Sequence, residues 1–143
     1  MKEYMRLESD SIGTMEVPED AYYGVQALRA KENFPITGTR LHPVFIKNLA
    51  KIKRAAAITN RKAGMLKPEI ANAIDSACNE VVCGMFDKEF IVDGIQGGAG
   101  TSANMNMNEV IANRAIEILC GKKGDYTIVH PNDHVNMAQS TND

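Results

Sequence analysis

Three stretches of the chain return an apolar residue to the same helical face every third or fourth position, and a fourth alternates like a strand. Pro43 suits the first position of a helix, after which Phe45, Leu49, Ile52, Ala56 and Thr59 hold one face until Gly64 ends the segment. Pro68 opens the next helix, with Ile70, Ile74, Cys78, Val81 and Met85 on one stripe and Gly84 near its end. The short link between the two predicts a helical hairpin. A third long helix is expected from about Ser102 to Cys120, with Met107, Ile111, Ala115 and Ile118 inward and Gly121 as its stop.

Residues 6–17 alternate around Gly13 before Pro18 ends the pattern, which predicts a small N-terminal β-hairpin. A short helix is expected over 21–33 with Gly24 near its start, then a loop over 34–39. Residues 90–92 read as an extended connector and 124–129 as irregular. In His130-Pro131-Asn132-Asp133, a turn sequence, Asp133 is placed to cap a last helix from about His134. Ten residues remain there, fewer than an isolated helix needs, so the pattern predicts the start of a longer helix that is cut short. The expected fold is mainly α, and the chain reads as the N-terminal part of a longer protein.

Composition narrows the partners. A chain of 143 residues with 44% apolar and 24% charged residues can bury a core. A net charge of -2, with basic residues scattered among acidic ones, leaves no footprint for nucleic acid. No apolar run approaches the length of a membrane span, and Met1-Lys2-Glu3-Tyr4-Met5-Arg6 lacks the core of a signal peptide. No membrane partner and a cytoplasmic location are therefore expected. Cys78, Cys83 and Cys120 are odd in number and lack C-x-x-C spacing, against both a disulfide framework and a zinc site. Each reads as a small buried hydrophobe, and the eight methionines read as core filling.

The candidate chemistry lies in two polar clusters. Gly97-Gly98-Ala99-Gly100-Thr101-Ser102-Ala103-Asn104 brings permissive backbone, two hydroxyls and an amide to the expected start of a helix, with Thr101 or Ser102 as its N-cap. Such a start offers N–H donors and partial positive charge to an anion. Gly100 stands where a phosphate loop needs lysine, which excludes nucleoside triphosphates and leaves a small anion such as a carboxylate. Gly98-Ala99-Gly100-Thr101-Ser102-Ala103 also fits a dinucleotide fingerprint. That match is weak, because Phe90-Ile91-Val92 is short for a strand and no carboxylate closes a second strand downstream.

The second cluster, Gln139-Ser140-Thr141-Asn142-Asp143, combines hydroxyls, amides and a carboxylate of poor helix propensity, and implies either ligand contact or a frayed terminus. Asn104 and Asn108 share a helical face without charged neighbours, which predicts buried amides bonded to other segments. His130 and His134 are separated by Pro131, which opposes a shared helical face, so no metal site is expected. His42, before Pro43, reads as the residue that leads into its helix.

The run from Gly100 to Arg114, and His130-Pro131-Asn132-Asp133-His134-Val135-Asn136 through Asp143, resemble the aspartase/fumarase superfamily. Gly13-Thr14-Met15-Glu16-Val17-Pro18 and Tyr22-Tyr23-Gly24-Val25-Gln26 are also similar to that family. Within it, Tyr22 to Gln26, Gly100-Thr101-Ser102 and the terminal cluster resemble the aspartate ammonia-lyase branch, while His130 is more fumarase-like. The resemblance implies reversible elimination of ammonia from L-aspartate to fumarate through an aci-carboxylate, without cofactor or metal, with fumarate hydratase as the alternative.

It also implies that Thr101, Ser140 and Thr141 bind the carboxylate beside the departing proton and that Asn142 lies near the amino group. Gly100, Ser102, Asn104 and Asp143 would support the pocket. In the fumarase branch the turn holding His130, Asn132 and Asp133 corresponds to a secondary carboxylate site. The implied base is a serine on a Gly-Ser-Ser loop, a motif this chain does not contain, so the chain alone is expected to be inactive. The family's homotetramers surround a central helix bundle and build each site from three subunits. Residues 1–133 are then expected to form the N-terminal helical lyase domain and 134–143 the truncated start of the bundle.

Overall fold

The computed structural model describes residues 4–94 and 100–140. Strands β1 (Met5–Ser9) and β2 (Thr14–Pro18) pair antiparallel, with Met5 opposite Pro18 and Ser9 opposite Thr14. Asp10 closes their turn by accepting the N–H groups of Ile12 and Gly13 at 2.9 and 3.1 Å. Helices α1 (Val25–Asn33), α2 (Pro43–Lys62), α3 (Pro68–Val82) and α4 (Thr101–Ile118) follow, with a 3-10 turn at Asp87–Glu89 and one π-helical turn at Pro131–Val135. This is the mainly helical fold with one small hairpin that the hydrophobic spacing predicts.

Helices α2 and α3 pack as the expected hairpin. Each starts on proline, and His42 Nδ1 accepts the Val44 N–H at 3.1 Å, which makes it the cap of α2. Each ends in a Schellman motif whose left-handed glycine is Gly64 (φ 73°) or Gly84 (φ 83°). Their inner faces meet through Ile46, Leu49, Ala50 and Ala57 on α2 and Ile74, Ala77, Cys78 and Val81 on α3. The α2 face is rotated from the expected one, since Phe45 and Ile52 are exposed while Lys53 and Asn60 are buried. A count of apolar positions alone excludes the two polar residues that occupy the true stripe.

Helix α4 is buried on nearly every side, as befits the centre of the molecule. Met107, Val110, Ile111 and Ala115 join the core with α2 and α3, and Arg114 grips Glu80 of α3 through two bonds of 2.6 and 3.1 Å. Its start differs from expectation: Gly100, left-handed at φ 87°, is the N-cap, and Thr101 and Ser102 are the first helical residues. At the other end Cys120, not Gly121, takes the left-handed position at φ 66°. The Cys120 and Gly121 N–H groups return to Glu117 and Ile116, and a Cβ on Gly121 would run into Ile128 and Ile116. Gly121 is thus there for close packing.

Three other expectations are corrected. Cys78 is buried, and burial pushes its thiol up to about 12, but Cys83 and Cys120 are exposed. Met105 and Met107 fill the core, whereas Met5, Met65 and Met85 are exposed. The helix expected from about His134 is not formed over 134–140. The π turn is followed by a turn over 136–138 with Ala138 left-handed at φ 58°. The Asn136 and Gln139 amides donate to nearby backbone carbonyls there, and such local bonds compete with a helix. None of the described helices is long and apolar enough to cross a membrane.

The Cys120 and Gly121 geometries make opposite predictions. Cys120→Gly should stabilise by up to about 1 kcal/mol, because it removes a left-handed non-glycine residue. Gly121→Ala should cost about 1–3 kcal/mol by overpacking. Urea midpoints of the two variants check both signs.

Candidate functional site

The hairpin turns its charged residues inward. Arg6 and Glu8 are buried while Leu7 is exposed, the reverse of the usual strand rule. Arg6 Nε donates to Glu8 Oε2 at 2.7 Å, and its guanidinium donates to the carbonyls of Pro18, Glu19 and Tyr23 at 2.9, 2.9 and 3.0 Å. A buried pair with four of the five guanidinium N–H groups engaged avoids the cost of an uncompensated charge.

Glu8 then reaches the start of α1. That helix has no cap from its own N-cap residue, Gly24. Instead, Glu8 Oε1 accepts the Val25 N–H at 3.1 Å, and Glu109 of α4 accepts the Gln26 and Ala27 N–H groups at 3.0 and 2.8 Å. Two remote carboxyl groups thus satisfy the first three helical donors, which have no partner within the helix. Tyr126 completes the group by donating to Glu8 Oε1 at 2.6 Å. Gly24 is required, since a Cβ there would collide with Glu109, Tyr126 and Glu8 together.

Burial pushes the Glu109 carboxyl up to about 8 against the pull of its backbone N–H bonds, and Glu8 adds to the rise. The Tyr126 phenol is raised well above its ordinary value by burial and by Glu109 and Glu8, so it stays a donor.

Above this group lies a cleft of about 370 Å³ lined by Thr101, His130 and Asn132 together with Gln26, Glu109 and Tyr126. It joins a residue of the first polar cluster to two from the turn at 130–133. His130 Nδ1 accepts the N–H groups of Asn132 and Asp133 at 3.1 Å each. Its proton therefore sits on Nε2, which makes the ring a neutral donor. The Asp133 carboxylate, 3.7 Å from the same Nδ1 and exposed, adds no ion pair, because that lone pair is already engaged. His134 Nδ1 accepts the His130 N–H at 2.8 Å, and burial lowers its pKa.

The other candidate residues lie elsewhere. Gly100 lines a separate cavity of about 650 Å³ with His42, Phe45 and Ala103. Ser102 is half-buried on the first turn of α4. Asn104 is buried and donates to Asn136 Oδ1 at 3.1 Å, as expected of a buried amide, whereas Asn108 meets only the Met105 sulfur of its own helix, at 3.5 Å, among the described residues. Ser140 is exposed and does not line the cleft. Gly97, Gly98, Ala99, Thr141, Asn142 and Asp143 lie outside the described residues.

Sequence reasoning missed Glu8, Glu109, Tyr126 and Lys53. The readable trace was negative: Gly24 opens a helix that lacks a Ser, Thr, Asp or Asn cap, so its donors need partners from elsewhere.

A helical domain whose hairpin caps the first helix, beside a cleft where Thr101, His130 and Asn132 stand together with the Asp10 carboxylate, is the class of structure these features define. Residues 13–143 match the family model described as lyase. The chain is 56% identical over 139 residues to an aspartate ammonia-lyase of a Bacillus species, covering 97% of this chain and 30% of that protein. It is 53% identical over 143 residues to a class II fumarate hydratase of Halobacterium salinarum, covering 100% of this chain and 30% of that protein. The crystal structure of fumarate lyase:delta crystallin from Brucella melitensis superposes with a TM-score of 0.96 at 50% identity, covering 98% of this chain and 33% of that one. The chain spans about 30% of the length of the curated relatives it matches. It belongs to the lyase family of the aspartase/fumarase superfamily.

A carboxyl that titrates near 8 when folded and near 4.5 when exposed holds a proton that the unfolded chain has released between those values. Its stabilising contribution is complete below about 4.5 and is lost as pH rises through about 8. Urea unfolding should show stability falling across that window by at most about 1.4 kcal/mol per pH unit, and Glu109→Gln should flatten the fall. An unchanged slope in the variant would assign the proton elsewhere.

Proposed function

We propose that this chain is the N-terminal domain of an aspartate ammonia-lyase and supplies neutral donors for the reversible conversion of L-aspartate to fumarate and ammonia. The supporting observation is the cleft that joins Thr101 to His130 and Asn132, in a chain 56% identical to an aspartate ammonia-lyase. The Cβ proton is weakly acidic, and its removal leaves an aci-carboxylate dianion before the Cα–N bond breaks and ammonia leaves. Hydroxyls, amides and helix N–H groups fixed in advance stabilise that charge without rearranging.

In this reading Thr101, Ser140 and Thr141 hold the carboxylate beside the departing proton, and Asn142 lies near the amino group. Gly100, Ser102, Asn104 and Asp143 keep the shape of the pocket, and His130, Asn132 and Asp133 form a second carboxylate contact through the neutral Nε2–H. The base is a serine on a Gly-Ser-Ser loop, a motif absent from this sequence, so the chain alone forms no fumarate. The intact protein is a cytoplasmic homotetramer, with residues 134–143 leading into its central bundle.

The 53% identity to a class II fumarate hydratase favours a second reading, hydration of fumarate to malate. Absorbance of fumarate formed by the intact protein decides between them: signal from L-aspartate and none from L-malate supports the ammonia-lyase, and the reverse supports the hydratase. Thr101→Ala should raise KM about 10- to 100-fold, the loss of one hydrogen bond to a charged group, with the melting temperature little changed. Unaltered kinetics would remove Thr101 from the site.

A further inference from the structure

We propose that Lys53 is a positioning residue that ties the two polar clusters together and sets the backbone leading into Ser140. The idea rests on the reading above, in which those clusters hold one dicarboxylate.

Lys53 lies midway along α2 and is 1% exposed, on the same stripe as Ile46, Leu49, Ala50 and Ala57. Its Nζ donates to Asn136 Oδ1 and to Gln139 Oε1, each at 2.9 Å. The same Asn136 oxygen accepts from Asn104 Nδ2 at 3.1 Å, and Asn104 stands three residues after Thr101 on α4. One ammonium thus connects the helix that begins at Thr101 with the residue preceding Ser140.

The segment between is fixed from several directions. Asn136 Nδ2 donates to the Gln139 carbonyl at 3.2 Å, and Gln139 Nε2 donates to the Val135 and Met137 carbonyls at 3.0 and 3.3 Å. Asn60, two turns further along the Lys53 face of α2, donates to the Met137 carbonyl at 3.2 Å. These bonds surround Ala138, a left-handed non-glycine residue, and such a conformation persists only where its surroundings over-determine it. An apolar side chain would fill the same volume as Lys53, but it would leave the Asn136 and Gln139 oxygens without this donor and free the turn to adopt other conformations.

The test uses the intact protein with succinate, a dicarboxylate that cannot react. Succinate must inhibit the parent protein. If it does not, the functional reading fails whatever Lys53 does. Lys53→Met is expected to raise the succinate inhibition constant about tenfold, with a parallel fall in kcat/KM for aspartate. A lowered melting temperature with an unchanged inhibition constant would make Lys53 a folding residue only and would overturn the proposal.

If Lys53→Met does not fold, Lys53→Arg carries the test. It keeps the charge but replaces a compact ammonium with a wider planar fork. A severalfold weaker succinate inhibition at nearly constant melting temperature supports the positioning role, and full affinity refutes it.

Discussion

The meeting of Glu8 and Glu109 at the first turn of α1 is the contact on which the rest of the structure depends. It joins three parts of the chain that are far apart in sequence: the hairpin, the start of α1 and the middle of α4. Neither carboxyl group is on α1, yet together they take its first three N–H groups. Gly24 makes room for both, while Arg6 bonds Glu8 Oε2 and Tyr126 shares Glu8 Oε1 with the Val25 N–H. Burying two acidic groups side by side is costly. The arrangement holds because helix donors, a guanidinium and a phenol converge on them.

The same logic runs along α4. An ordinary core helix would carry aliphatic residues on all sides, but this one carries buried amides that hold loops in place. Asn106 Oδ1 accepts the Ile91 N–H at 3.0 Å, and its amide donates to the Glu89 carbonyl at 3.0 Å, fixing the connector. Asn113 accepts the Gly124 N–H at 2.8 Å and donates to the Tyr22 carbonyl at 2.7 Å. Asn104 reaches Asn136. Side-chain amides of one central helix thus hold several loops in place.

Much of the architecture was legible because it follows from local rules. Prolines at 43 and 68 and glycines at 64 and 84 bound two amphipathic helices, and the structure places their ends there. Asn104 was readable as a buried amide from its uncharged neighbours. The faces were harder to read. Lys53 and Asn60 occupy the inner stripe of α2, so a hydrophobic count rotated that helix, and in β1 the inward residues are Arg6 and Glu8. The helix expected after His134 fails for a related reason, since Asn136 and Gln139 bond their own backbone.

The amino-acid sequence by itself determined the helical class, the hairpin, the ends of α2 and α3 and the two polar clusters. These depend on propensity, capping and spacing, all properties of neighbouring residues. Only the tertiary structure decided that Thr101 shares a cleft with His130 and Asn132, that Glu109 caps a helix eighty-odd residues away, and that Lys53 is buried beneath Asn136 and Gln139. Each of these polar contacts is favourable only when several remote partners arrive together and replace the water that burial removes. That condition cannot be read from any one stretch of chain.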